Sequence, residues 1–258
     1  MSADKEPGFI TADTQLATLR QVMARYGSRG ADVLAGNDPA AAEPSRQTSG
    51  GSPQTTEGPY YIQHGEGSEF RKDISEGRPG VPLRLSITAL GPDGAPAEGA
   101  VVDVWHCDAL GYYSGHLAHD PDTFPTVDDS GHVPPSDESR FLRGQQTTSA
   151  GGTAEFASIY PGWYFTRSIH IHLKVSVEGE ERYTGQVYLP EEYNEAVSKV
   201  APYNEHTTLE RLRNEDDLVY RSAGGPDLLM SVEPVAPGDV AAGLAASFTV
   251  SLPSAPSA

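Results

Sequence analysis

The segment SIHIHLKVSV at 168–177 most constrains the fold. Ile169, Ile171, Leu173, Val175 and Val177 alternate with His170, His172, Lys174 and Ser176. A period of two is the signature of a strand with one face on a core, so both imidazoles must share the other face. Imidazole is the commonest protein metal ligand, and side chains at i and i+2 of a strand run parallel without help from a flexible loop. The pair therefore reads either as half of a metal clamp or as two hydrogen-bonded histidines.

The same period recurs along the chain. Leu83, Leu85, Ile87 and Ala89 alternate with Arg84, Ser86 and Thr88 before a GPDG turn at 91–94. Further strands are expected at 101–107, 153–159, 182–189, 227–232 and 245–252, and helices at 191–200 and 207–212. Residues 115–140, rich in Asp, Pro and Gly, read as a long functional loop. Short strands joined by tight turns predict a mainly β protein, a β-sandwich with a few peripheral helices. Residues 11–26 predict a short amphipathic helix capped by Thr11 or Asp13, with Leu16, Leu19, Val22, Met23 and Tyr26 on one stripe. That stripe must bury against the sandwich or against a second copy of the chain. Residues 27–55 read as a Gly/Ala/Ser/Pro-rich linker. The expected division is thus 1–55, helix and linker, and 56–258, the sandwich.

Composition excludes several classes. The formal charge of −18, from 36 acidic and 18 basic side chains, opposes binding to nucleic acid or to an anionic membrane surface. No apolar run approaches the ~18 residues needed for a membrane span. Cys107 is the sole cysteine, so no intramolecular disulfide can form. Residues 1–7 lack a basic stretch followed by an apolar one, which sets the expectation of a cytoplasmic protein, with export still open if the chain is trimmed.

Two further motifs bring tyrosines beside Gly or Pro at the ends of strand-like runs: VDVWHCDA at 102–109 leading into GYYSG at 111–115, and YPGWY at 160–164. A phenol ordinarily titrates near ~10, but a hard trivalent cation would bind its anion and displace the proton. Two tyrosinates with two neutral imidazoles suit ferric iron. Zinc more usually takes Cys, His or carboxylate.

Together with TEGPYY at 56–61, FLRGQQ at 141–146 and RSIHIH at 167–172, these motifs make the chain resemble the intradiol ring-cleavage dioxygenases, most closely the single-chain, protocatechuate 3,4-dioxygenase-like branch. The resemblance implies a non-haem Fe(III) cofactor held by Tyr113, Tyr164, His170 and His172. It implies a small aromatic diol and O2 as substrates, both oxygen atoms entering one cis,cis-muconate-type product without nicotinamide or flavin. It gives Tyr164, Arg167 and Gln186 catalytic roles: Tyr164 as a phenolate that leaves iron and takes a substrate proton, Arg167 as a fixed cation against charge developing on the ring, Gln186 as a hydrogen-bond partner for bound oxygen. Thr56, Pro59 and Tyr60 are implied to border the substrate pocket. Tyr112 and Tyr160 sit beside the ligand positions without matching them, and His106 and Asp108 read as supports. A non-catalytic sandwich that binds carbohydrate or protein would not need the Tyr and His motifs. Another metalloenzyme class, the cupins, wants Gly and Glu where this chain has Tyr164 and Ser176.

Overall fold

The computed structural model describes residues 8–26, 51–63 and 69–254. Residues 27–50 of the expected linker, and the side chains of Met23 and Tyr26, lie outside what it describes. Among the described residues, eight strands form two four-stranded sheets: β1 (Pro82–Leu90), β2 (Val101–Trp105), β3 (Arg143–Thr147), β4 (Thr153–Ile159), β5 (His170–Val177), β6 (Glu180–Tyr188), β7 (Ser231–Ala236) and β8 (Asp239–Ser251). One sheet runs β4-β1-β8-β7, with β1 and β8 parallel, and the other runs β3-β2-β5-β6. The protein is mainly β, as expected.

The core lies between the sheets. From the first sheet come Leu83, Leu85 and Ile87; from the second come Ile171, Leu173 and Val175, all buried. Each such side chain contributes about 1.5–3 kcal/mol by leaving water. Glu178 and Gly179 close the β5–β6 hairpin with both φ values positive, 54° and 82°, which matches the twist of the flanking strands in a two-residue turn. A bulge between Val175 and Ser176 then shifts the register by one, setting His172 opposite Gln186 and His170 opposite Tyr188. Opposite residues share a face, so the bulge decides which side chains of β6 stand beside the imidazoles.

Three expected elements need correction, and one strand lies where none was expected. Residues 207–212 are extended rather than helical, because Leu209 is buried and bridges Ile10, while Glu210 N–H donates to the Ile10 carbonyl at 2.9 Å. The strand expected at 227–232 begins only at Ser231, after a 3-10 turn over Gly225–Leu228. The strand at 101–107 stops at Trp105. Strand β3, at the edge of its sheet and carrying the polar run Arg143–Thr147, shows no alternation by which to find it. The last expected linker residues are also tied down: Ser52 N–H donates to the Ser251 carbonyl and Thr55 N–H to that of Thr184.

Helix α1 (Ala12–Tyr26) is capped by Thr11, whose Oγ1 accepts the Thr14 N–H at 3.1 Å. Its Leu19 is buried and, more deeply, its Gln15, which is 0% exposed and bonds to residues 166 and 210.

Candidate functional site

Both imidazoles leave β5 on the face away from the core, and both are buried by what lies over that face. Trp105, the β2 register partner of His172, stacks on its ring at 4.9 Å and 11°. Gly58 presses from another side: at φ 83°, a Cβ there would stand 2.8 Å from His172 Cε1, so only glycine fits. His170 Nδ1 lies 2.7 Å from the Ser168 carbonyl. Donation by Nδ1–H leaves the Nε2 lone pair free, the arrangement typical of a metal-binding histidine.

The tyrosines arrive on turns. Asp108 Oδ1 accepts the N–H groups of Leu110 and Tyr112, both at 3.0 Å, and its other oxygen pairs with Arg78. This carboxylate shapes the turn that presents Tyr113. Gly162 packs this turn against the next: a Cβ at 162 would meet the Ala109 carbonyl at 2.5 Å and that of Asp108 at 2.6 Å. Tyr164 follows, and its own turn closes with Arg167 N–H donating to the Tyr164 carbonyl at 3.1 Å. Tyr160 is turned into the sandwich core, its hydroxyl donating to Asn194 Oδ1 at 2.6 Å. Tyr112 is only half-buried.

Four polar atoms from β5 and these turns converge. Tyr113 Oη lies 2.8 Å from His172 Nε2, Tyr164 Oη 3.1 Å from His170 Nε2, and the two Nε2 atoms are 3.1 Å apart. Burial, the largest cause in each case, holds His170 and His172 well below the ordinary imidazole range and Tyr113 well above the ordinary phenol range. Tyr164 is pushed up to about 12 by burial, opposed by the Arg167 cation. All four groups are thus neutral near pH 7, and their lone pairs face one small space. The donor set, two phenols and two neutral imidazoles, fits a hard cation of high charge, which would ionise the phenols. Among the described residues no group of three or more His, Cys, Asp and Glu is placed to hold a metal, since half of this set is tyrosine.

Arg167 stands beside the cluster, 5% exposed, with Nη1 donating to Tyr164 Oη at 3.4 Å. Its ion pair is internal rather than superficial: Nε donates to Asp217 Oδ2 at 3.0 Å, and Asp217 is 0% exposed. Asp217 also accepts the Ser168, Val219 and Tyr220 N–H groups. It was not legible as a site residue, lying 50 positions from Arg167 in a stretch without a motif. Gln186 is committed to the protein: Oε1 accepts from Arg167, and Nε2 donates to the Thr56 carbonyl at 3.1 Å.

Thr56 Oγ1 accepts the Gly58 N–H at 3.0 Å, and the Pro59 carbonyl accepts the Val133 N–H at 2.9 Å, tying the 115–140 loop to this wall. Tyr60 stacks on Tyr113 at 4.3 Å and 11°, and meets Tyr164 edge-on at 5.8 Å. Beyond Trp105 and Tyr61 lies a polar cleft of about 680 Å³, lined in part by Glu57, Asp103, Lys174 and Glu181. Lys174 pairs there with Glu57, fastening residues 56–60 to β5.

Comparison with known proteins follows the same lines. The family model Dioxygenase_C, described as Dioxygenase, matches residues 56–201. A catechol 1,2-dioxygenase from Acinetobacter lwoffii is 31% identical over 170 residues, covering 57% of this chain and 49% of that protein. A second from the same organism is 28% identical over 165 residues, covering 57% and 54%. The chain thus spans about half the length of the curated relatives it matches. The solved structure of an intradiol ring-cleavage dioxygenase from Tetranychus urticae superposes with a TM-score of 0.70 at 29% identity, covering 80% of this chain and 96% of that one. By its match over more than half its length, and by its likeness to these relatives, the chain belongs to the intradiol ring-cleavage dioxygenase family.

Proposed function

We propose that the chain is a non-haem iron(III)-dependent dioxygenase that inserts both atoms of O2 into a catechol-type ring between its hydroxyl-bearing carbons, giving a cis,cis-muconate-type product. The observation that carries this reading is the convergence of Tyr113 Oη, Tyr164 Oη, His170 Nε2 and His172 Nε2, with neighbours 2.8–3.1 Å apart. These four would hold the metal. Bound ferric iron would supply the Lewis acidity and electron-accepting character that make a catecholate reactive toward O2.

The protein's share follows from its own groups. His170 keeps its Nε2 lone pair on the site because Nδ1–H is given to the Ser168 carbonyl. Tyr164 Oη, ionised when it holds the metal, would be the proton acceptor for one catechol hydroxyl: with only Arg167 beside it the phenol is pushed up to about 12, so once released it keeps the proton at neutral pH. Arg167, fixed by Asp217, holds a positive charge beside Tyr164 and the ring, where negative charge grows. Tyr60, Pro59 and the buried aromatic cluster of Trp105, Tyr113 and Tyr164 exclude water and offer flat apolar walls to a planar ring.

Loading with ferric iron is expected to give a broad visible tyrosinate-to-iron band, and oxygen uptake with a panel of substituted catechols to give intradiol products by their ultraviolet spectra. A colourless iron-loaded protein, or an extradiol product, would overturn the proposal.

A further inference from the structure

We infer that Gln15, on helix α1, is a positioning residue that latches the strained turn carrying Tyr164 and Arg167. This rests on the reading above for its consequence at the metal, but the latch itself stands on geometry. Residues 164–167 form a four-residue turn, closed by the Arg167 N–H to Tyr164 carbonyl bond at 3.1 Å and by a bridge between those two residues. Its third residue, Thr166, has φ 66°. That is the left-handed region, where a β-branched side chain is a genuine outlier and where glycine or asparagine is usual at this turn position. Such a conformation persists only where the surroundings hold it.

Gln15 is the holder. Its Oε1 accepts the Thr166 N–H at 2.8 Å and its Nε2 donates to the Glu210 carbonyl at 2.7 Å. Docking alone would not call for an amide here, since the same helix also buries the apolar Leu19, and a buried amide is costly unless both ends are satisfied. Both ends are satisfied, and one of them is the N–H of the strained residue. Ala12 N–H to Glu210 Oε2 at 3.0 Å and the Ile10–Leu209 bridge hold the start of the helix to the same 208–210 segment. Trp163 Nε1 donates to the Leu209 carbonyl at 3.1 Å, so the chain enters the turn from a point fixed by that segment as well. Helix α1 lies outside residues 56–201, which carry the four converging donors. A segment beyond the matched region thereby sets the backbone from which a phenol and the guanidinium beside it project.

The test compares wild-type protein with Gln15→Leu, Thr166→Gly and the double variant. Leucine keeps bulk at the helix contact, and glycine adopts a positive φ without strain, so relief at position 166 should make the latch dispensable. In metal-free protein, Gln15→Leu is expected to speed hydrogen exchange of the Arg167 and Ser168 amides by about tenfold, the loss expected of one buried hydrogen bond, with the β1 amides unchanged. Neither of those amides touches Gln15; they donate to the Tyr164 carbonyl and to Asp217. In iron-loaded protein the same variant is expected to shift the tyrosinate band, which loosening elsewhere in the fold would not move. Both effects should shrink to within about twofold when Gln15→Leu is made in the Thr166→Gly background. Exchange within twofold of wild type in Gln15→Leu, or an equal effect in both backgrounds, would overturn the inference. A colourless loaded wild type would sink the metal reading alone, and the exchange measurements would still decide the latch.

Discussion

Strand β5 and the two tyrosine-bearing turns deliver the same number of donor atoms to one place by different physics. His170 and His172 are held by a repeating ladder, in which the β2 and β6 partners and the core side chains Ile171 and Leu173 fix the backbone many times over. Tyr113 and Tyr164 hang from single devices: the Asp108 carboxylate, the Gly162 approach, and the left-handed Thr166 with its Gln15 partner. A ladder spreads its tolerance over many bonds, whereas a turn fails at one. Position on the strand should therefore matter through the side chain, and position on the turns through the backbone.

The largest effect expected is at the donors. His172→Ala should lower affinity for ferric iron by more than about 100-fold in a metal titration, since it removes one of the four proposed ligands, where changes outside a ligand set typically cost 10–100-fold. Tyr164→Phe should keep iron and slow turnover, because Tyr164 is the donor proposed to give up its place and take a substrate proton, so the other three must suffice to hold the metal. Catechol cleavage at normal rate by His172→Ala protein would break the comparison from the strand side.

Backbone effects come next. Gly162→Ala should destabilise by about 1–3 kcal/mol through a clash with two carbonyls that cannot swing away. Gly179→Ala, in the β5–β6 hairpin, has open space around it and should cost only the roughly 1–2 kcal/mol of a left-handed alanine. Thermal denaturation reads both, but only Gly162→Ala should also alter the visible band of the loaded protein. Equal spectra would mean that the turns are as forgiving as the strand.

The effect smallest at neutral pH, where it vanishes, sharpens the strand side of the site. His106, next to Trp105, is buried and lowered to about 4, chiefly by desolvation, with Nδ1 against the Cys107 carbonyl and Nε2 against Ser158 Oγ. The unfolded chain takes up this proton near the ordinary value of 6.5 and the folded chain only near 4. Stability from keeping this ring neutral is therefore fully present above about 6.5 and lost as pH falls toward 4, on the order of 3 kcal/mol. Melting temperature of the metal-free protein should drop over that window, and less steeply in His106→Gln. An unchanged slope would remove His106 from the account.

Sequence alone determined the sandwich and named the four side chains that converge. Alternation at 83–89 and 169–177 is a local consequence of pleating against one core, and the Tyr and His motifs name the donor types without any coordinates. It could not find β3, whose polar run at a sheet edge carries no alternation, nor Asp217 and Gln15, each joined to the site only by contacts distant in sequence. It misread residues 207–212, where pairing with Ile10 overrides a helical pattern. Which residue of β6 faces His172 depends on one bulge, and which tyrosine of each pair turns inward depends on glycines with no room for a Cβ. Those are facts about close approach between remote segments. Periodicity records what a residue buries, and only the folded chain decides against what.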